Sequence, residues 1–126
     1  MPKIETIEKF ISMVESNKHV EAIENFYTSN ASMQENQTEP RVGRDNLIAN
    51  ENKVLSRTKI MTSKCIRPFF VNDNYVTIQW QFRFEFKDDS FIEIEEMVKQ
   101  EWIDERIDKE RFFYDPKQFI PKPIKR

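Results

Sequence analysis

The chain has 126 residues, with 20 lysines and arginines against 22 aspartates and glutamates, and a formal net charge of −2. That length suits one compact domain with a core of its own, and the near balance of charge supplies no drive toward nucleic acid or an anionic membrane surface. A lone cysteine, Cys65, excludes an intramolecular disulfide framework or a multi-cysteine metal site and reads as a small buried strand residue.

From Ile4 to Glu15 the apolar residues Ile4, Ile7, Phe10, Ile11, Met13 and Val14 recur at steps of three and four, which predicts an amphipathic helix. Ser16-Asn17 interrupts it. Lys18 to Tyr27 predicts a second, shorter helix with Val20, Ile23 and Phe26 inward, so the pair forms a tight corner. His19, the only histidine, reads as a residue of that corner. Thr28-Ser29-Asn30 reads as a turn and Ala31 to Gln37 as a weak strand in which Ala31, Met33 and Glu35 share a face. Thr38 to Gly43 reads as a loop at a pocket mouth. Asp45 or Asn46 then caps a third helix to about Ser56, with Leu47, Ile48, Val54 and Leu55 buried.

Ile60 to Val71 carries strand-forming residues, and Pro68 points to a sheet edge or an irregularity. Beyond the turn Asn72-Asp73-Asn74, Val76, Ile78, Trp80, Phe82, Phe84 and Phe86 alternate strictly with Thr77, Gln79, Gln81, Arg83 and Glu85, the pattern of a half-buried strand. After Lys87-Asp88-Asp89-Ser90 the alternation resumes, with Ile92, Ile94, Val98 and Trp102 on one face and Glu93, Glu95, Lys99 and Glu101 on the other. Glu96 and Gln100 break the rule by sharing the apolar parity. A third strand, from about Arg106 to Tyr114, sets Glu110, Phe112 and Tyr114 in one register. The tail from Asp115 to Arg126, with Pro116, Pro121 and Pro123 among basic residues, reads as irregular structure packed through Phe119, its basic end solvated.

Two helices, a strand, a helix and then a run of strands predict one α+β domain over 1–126, with 116–126 a Pro/Lys-rich tail. The helices pack on one face of a curved, mostly antiparallel sheet. No run is long and apolar enough to cross a bilayer, and charged residues interrupt the N-terminal apolar residues, unlike a secretory leader; the expected location is the cytoplasm.

A buried polar group needs a partner or a purpose. Glu35, Glu96, Gln100, Glu110 and Tyr114 point toward the inner face by parity. On one reading a carboxylate among the aromatics has its pKa raised by desolvation and acts as general acid or base, with Tyr114 or Gln100 orienting a ligand carbonyl or hydroxyl. On the other, a bulge or slip places Glu96 outside with Glu93 and Glu95, and Glu110 pairs with Arg111, Arg106 or Lys109 at the sheet rim. A lone histidine and a single glycine offer neither a spaced metal set nor a phosphate-cradling loop, so no metal or cofactor is expected.

The helix pair ending in Phe26-Tyr27, the Glu39-Pro40-Arg41-Val42-Gly43-Arg44 loop, the Trp80-x-Phe82-x-Phe84 strand and the run Glu110-Arg111-Phe112-Phe113-Tyr114-Asp115-Pro116 resemble the SnoaL-like branch of the nuclear transport factor two-like superfamily. The likeness runs along almost the whole chain to Pro116. It implies a cone-shaped α+β fold with an internal apolar pocket and a homodimer through the outer sheet face. It also implies kinship with ketosteroid isomerases, polyketide cyclases, dehydratases and epoxide hydrolases, alongside binding and scaffold proteins.

In the ketosteroid isomerase comparison Glu35 falls at the position of the base, while the oxyanion-donor positions fall on Phe10 and Val98. The histidine of the cyclase acid–base pair has no counterpart. The expected site is thus Glu35, Glu96 and Tyr114 for the chemistry, with Phe10, Trp80, Phe82, Val98, Gln100 and Phe112 contacting the ligand. The expected function is binding of an apolar ring- or carbonyl-bearing small molecule, with cofactor-independent isomerase, cyclase, dehydratase or hydrolase chemistry. The alternative is a non-catalytic ligand-binding or dimeric interaction module, with Met97 and Phe113 on the dimer face.

Overall fold

In chain order, α1 (Ile4–Glu15) and α2 (His19–Phe26) lead into β1 (Tyr27–Glu35), β2 (Arg41–Val42) and α3 (Arg44–Arg57). β3 (Thr58–Asn72), β4 (Tyr75–Phe86), β5 (Ser90–Ile103) and β6 (Arg106–Phe113) follow, then a short 3-10 turn (Pro116–Phe119) and β7 (Lys122–Pro123). This is a computed structural model, and it describes residues 1–125; Arg126, the last of the basic tail, lies outside the described residues.

The strands form one curled, unclosed sheet in the order β2-β1-β6-β5-β4-β3, antiparallel at every step except β1–β6. The helices cover its concave face, as the alternating inner residues demand: each strand's apolar set needs a second layer to leave water. Ile7, Ile11, Leu47, Ile78, Val98, Trp102 and Ile107 are fully buried where helices and sheet meet. Ile4, in the first turn of α1, is exposed despite its place in the apolar stripe. β3 is an edge strand, and its ladder with β4 is irregular between Ile66 and Phe70, around a cis Arg67–Pro68 bond.

Several local expectations need correction. Thr28-Ser29-Asn30 is strand, not turn: its ladder partner is β6, and the Thr28 hydroxyl donates to Asp108 Oδ1 at 2.8 Å, so tertiary pairing satisfies groups that would otherwise favour a turn. Tyr27 belongs to this strand and is buried. Gly43, not Asp45 or Asn46, occupies the N-cap of α3, at a φ of 98° that suits glycine; Asn46 instead donates from Nδ2 to the Val42 carbonyl at 2.8 Å.

The tail is ordered by specific bonds rather than irregular. Asp115 Oδ1 accepts from the Lys117 amide, Gln118 bridges to the Glu95 backbone through both its amide atoms, and β7 pairs with Ser90 and Phe91.

Alternation along β5 is unbroken: Ile92, Ile94, Glu96, Val98, Gln100 and Trp102 are all buried, so no slip turns Glu96 outward. β6 does contain a bulge. Trp102 pairs with Ile107 but Glu101 with Lys109, leaving Asp108 as the extra residue. The bulge lets Ile107 and Glu110 both face inward. The rim ion pairs expected for Glu110 are absent, since Arg106 Nη1 donates to the Tyr27 carbonyl and Arg111 Nε to that of Asn36.

Candidate functional site

Between helices and sheet lies a cavity of about 190 Å³. Its sheet wall is aromatic because the inner residues of β4 follow one another at every second position: Trp80 stacks on Phe82 with ring centroids 5.5 Å apart, and Phe82 continues to Phe84 at 6.0 Å. Phe10 of α1 meets Trp80 edge-on, and Phe112 of β6 and Phe119 of the tail also line the cavity.

Carboxylates enter this apolar space from four elements: Glu35 from β1, Glu51 from α3, Glu96 from β5 and Glu110 from β6. Their surroundings set them apart. Glu96 is 8 % exposed and has no hydrogen-bond partner among the described residues, its carboxyl keeping its accessible surface toward the cavity. Burial, reinforced by the charges of Glu110, Glu35 and Glu51, pushes its pKa up to about 8. It is therefore a protonated donor at neutral pH.

Glu110 is held on both sides. The Tyr27 hydroxyl donates to Oε1, Gln100 Nε2 donates to Oε2 at 2.6 Å, and Trp102 Nε1 donates to Gln100 Oε1 at 3.0 Å. Burial raises the Glu110 pKa to about 7 against the lowering effect of the bonds from Tyr27 and Gln100. The same burial, with the neighbouring Glu110 charge, lifts Tyr27 well above the usual tyrosine range. This buried chain spans β1, β5 and β6, and each of its polar side-chain atoms has a partner.

Of the residues picked from sequence, Glu35, Glu96, Phe10, Trp80, Phe82 and Phe112 line the cavity together. Val98 and Gln100, both fully buried, stand behind the wall instead, and Gln100 serves Glu110 rather than a ligand. Tyr114 is also set back, resting on Phe119 with ring centroids 4.7 Å apart. Burial and then the Glu35 carboxylate raise its phenol to about 12, so it is a hydrogen-bond donor to Glu35 rather than an acid.

His19 departs most from expectation. It stands at the corner, as the first residue of α2, but its side chain lines the cavity rather than the surface: it is 10 % exposed, its ring meets Phe82 edge-on at 5.5 Å, Nε2 lies 2.9 Å from Ser63 Oγ, and Nδ1 lies 3.2 Å from Glu51 Oε1. Spacing carried a signal for both partners. His19 lies three, four and seven residues before Ala22, Ile23 and Phe26, and Glu51 lies four after Leu47 and four before Leu55, each on the apolar stripe of its helix.

Among the described residues, no group of three or more histidine, cysteine, aspartate or glutamate side chains is arranged to hold a metal ion, and no helix is long and apolar enough to cross a membrane.

No family model matches the sequence, and no curated protein matches it. Solved structures do. A protein described as a SnoaL-like polyketide cyclase from Mesorhizobium loti superposes with a TM-score of 0.75 at 16% identity, covering 87% of this chain and 97% of that one. A nuclear transport factor two-like protein of unknown function from Burkholderia pseudomallei gives 0.77 at 10% identity over 93% of each chain. An epoxide hydrolase-like protein of M. tuberculosis gives 0.74 at 13% identity over 91% of this chain and 84% of that one. At such identities these likenesses establish the fold, and the chemistry has to be argued from the cavity.

Proposed function

Since the chain has the SnoaL-like, nuclear transport factor two-like fold, we propose that its cavity binds a small apolar ring- or carbonyl-bearing molecule and acts on it by cofactor-independent acid–base chemistry. One observation carries this reading: Glu96 is buried in an aromatic cavity, unpartnered, with its pKa raised to about 8. A carboxyl without protein partners that opens onto the cavity offers its proton to what fills the cavity, and a ligand oxygen against Trp80 and Phe82 is the natural acceptor. Glu96 is the general acid of this scheme. Glu35, which also lines the cavity and has Tyr114 beside it, is the base. The relatives described as a polyketide cyclase and an epoxide hydrolase support an oxygen-bearing ligand of this kind.

The test is a panel of cyclic ketones and epoxides followed by NMR for hydrogen–deuterium exchange next to the carbonyl and for ring opening. Turnover of one class, lowered about 100-fold or more in both Glu96→Gln and Glu35→Gln, is the expected result. Binding without turnover favours a second reading, a non-catalytic ligand-binding module that acts as a homodimer. For that reading the supporting observation is on the outer sheet face, where Met97 and Phe113 are cross-strand partners and are 40% and 39% exposed.

A further inference from the structure

The helical wall of the cavity holds a polar arrangement that the scheme above leaves unused. Asn17, at a φ of 63° just beyond α1, donates from Nδ2 to the Met61 carbonyl at 2.9 Å, which settles which end of its amide is oxygen. That oxygen accepts the Ser63 hydroxyl hydrogen at 2.8 Å. A hydroxyl has one hydrogen to give, so Ser63 Oγ accepts from His19 Nε2 across their 2.9 Å contact. Nε2 therefore carries a hydrogen, and the 3.2 Å contact of Nδ1 with Glu51 Oε1 needs one further proton between the two, since a bare nitrogen and a bare carboxylate oxygen would repel.

Every link before Glu51 orients the next one, and the chain ends at a carboxylate that lines the cavity. His19 occupies Oε1 of Glu51, while Oε2 has no partner among the described residues. The cavity thus presents a fixed acceptor on its helical wall and, in Glu96, a donor on its sheet wall. Phe82, touching the His19 ring and stacked on Trp80, lends the same cavity an apolar surface.

We propose that Glu51 receives a hydroxyl, or an equivalent hydrogen-bond donor, of the ligand, with His19 as its positioning residue. The ligand class is then hydroxy-substituted carbonyl compounds, with the carbonyl at Glu96 and the hydroxyl at Glu51. This deepens the reading of the cavity as a ligand site and rests on it. The sheet and its aromatics supply the shape; the Asn17–Ser63–His19–Glu51 chain supplies the selectivity.

The experiment titrates the full chain with 4-hydroxyacetophenone and with its methyl ether near neutral pH, followed by NMR. Because the protein has one histidine, every imidazole nitrogen signal reports His19. The phenol is expected to bind roughly ten-fold more tightly than the ether, the worth of one hydrogen bond. The His19 Nδ1 signal should move with the phenol and stay in place with the ether. Glu51→Leu should bind both compounds equally, and Glu51→Gln, which keeps an acceptor, should restore part of the preference. Equal affinities in the unmodified protein, or a preference that survives Glu51→Leu, overturn the proposal while leaving the cavity a ligand site. If neither compound perturbs any cavity residue, the ligand-site reading falls and this proposal with it. Should Glu51→Leu fail to fold, the response of Nδ1 to the phenol against the ether in the unmodified protein decides the matter.

Discussion

Trp80 of β4 and Glu96 of β5 stand directly opposite one another on the inner face of the sheet. An indole ring offers a neighbouring carboxyl dispersion but no oxygen for its hydrogen, so the Glu96 proton is left for what enters the cavity that both residues line.

The first consequence is a pH dependence of stability. Glu96 has a folded pKa of about 8 against an ordinary value of 4.5. Below 4.5 it is protonated in both states; between 4.5 and about 8 the folded protein keeps a proton that the unfolded chain has released. Stability is therefore fully present at low pH and is lost as pH rises through that window, by an amount on the order of a few kcal/mol at ~1.4 kcal/mol per unit. Glu110, raised to about 7, adds in the same direction over a narrower range. Thermal melts at a series of pH values should show the melting temperature falling toward alkaline pH, and Glu96→Gln should flatten the slope and be the more stable protein at pH ~9.

Gln100 donates to Glu110 and accepts from Trp102 with nothing else in reach. Gln100→Leu preserves much of the volume but orphans both groups, and a loss of roughly 2–4 kcal/mol is expected in urea unfolding. Tyr27→Phe removes one donor from Glu110 and should cost about half as much, while raising the Glu110 pKa further. A neutral outcome for Gln100→Leu would mean that water replaces the lost partners.

Gly43 sits at a φ of 98°, and a Cβ there would also approach Asn46 Nδ2 to 3.4 Å. Gly43→Ala should destabilise by about 1–3 kcal/mol through backbone strain alone. Denaturation midpoints at unchanged m-value check this; the lower entropy of the unfolded chain with alanine opposes the loss, and the strain at positive φ outweighs it.

Phe119 lines the cavity from the tail and leans on Tyr114. Phe119→Ala should open the mouth, speeding ligand exit several-fold while shifting the melting temperature little, because the ring is 40% exposed. NMR line shapes of a bound cyclic ketone measure the exit rate.

The outer face gives a separate expectation. If the protein acts as a homodimer through Met97 and Phe113, charges at both positions should yield a monomer of unchanged circular dichroism in size-exclusion chromatography with light scattering. A monomeric unmodified protein would dispose of the interaction reading.

Period-two alternation over Val76–Phe86 and Ile92–Trp102 gave Glu96 and Gln100 the inward parity, because the side-chain period of a strand is a local property of the chain; that no slip turns Glu96 outward was decided by its ladder with Trp80. Helix spacing likewise located α1 and α3. What local pattern could not decide is who meets whom. Glu110 faces inward beside Ile107 only because the ladder with β5 skips Asp108, and its Tyr27 partner lies 83 residues away. His19 and Glu51 each sat on an apolar stripe, yet a histidine at a helical corner acquires its role only when α3 and β3 bring Glu51 and Ser63 to its two nitrogens. Local pattern was enough for the layers and for the parity of β4 and β5; tertiary packing settled the parity of β6 and which polar groups share the cavity, since bulges and hydrogen bonds between distant residues leave no periodic trace in the chain.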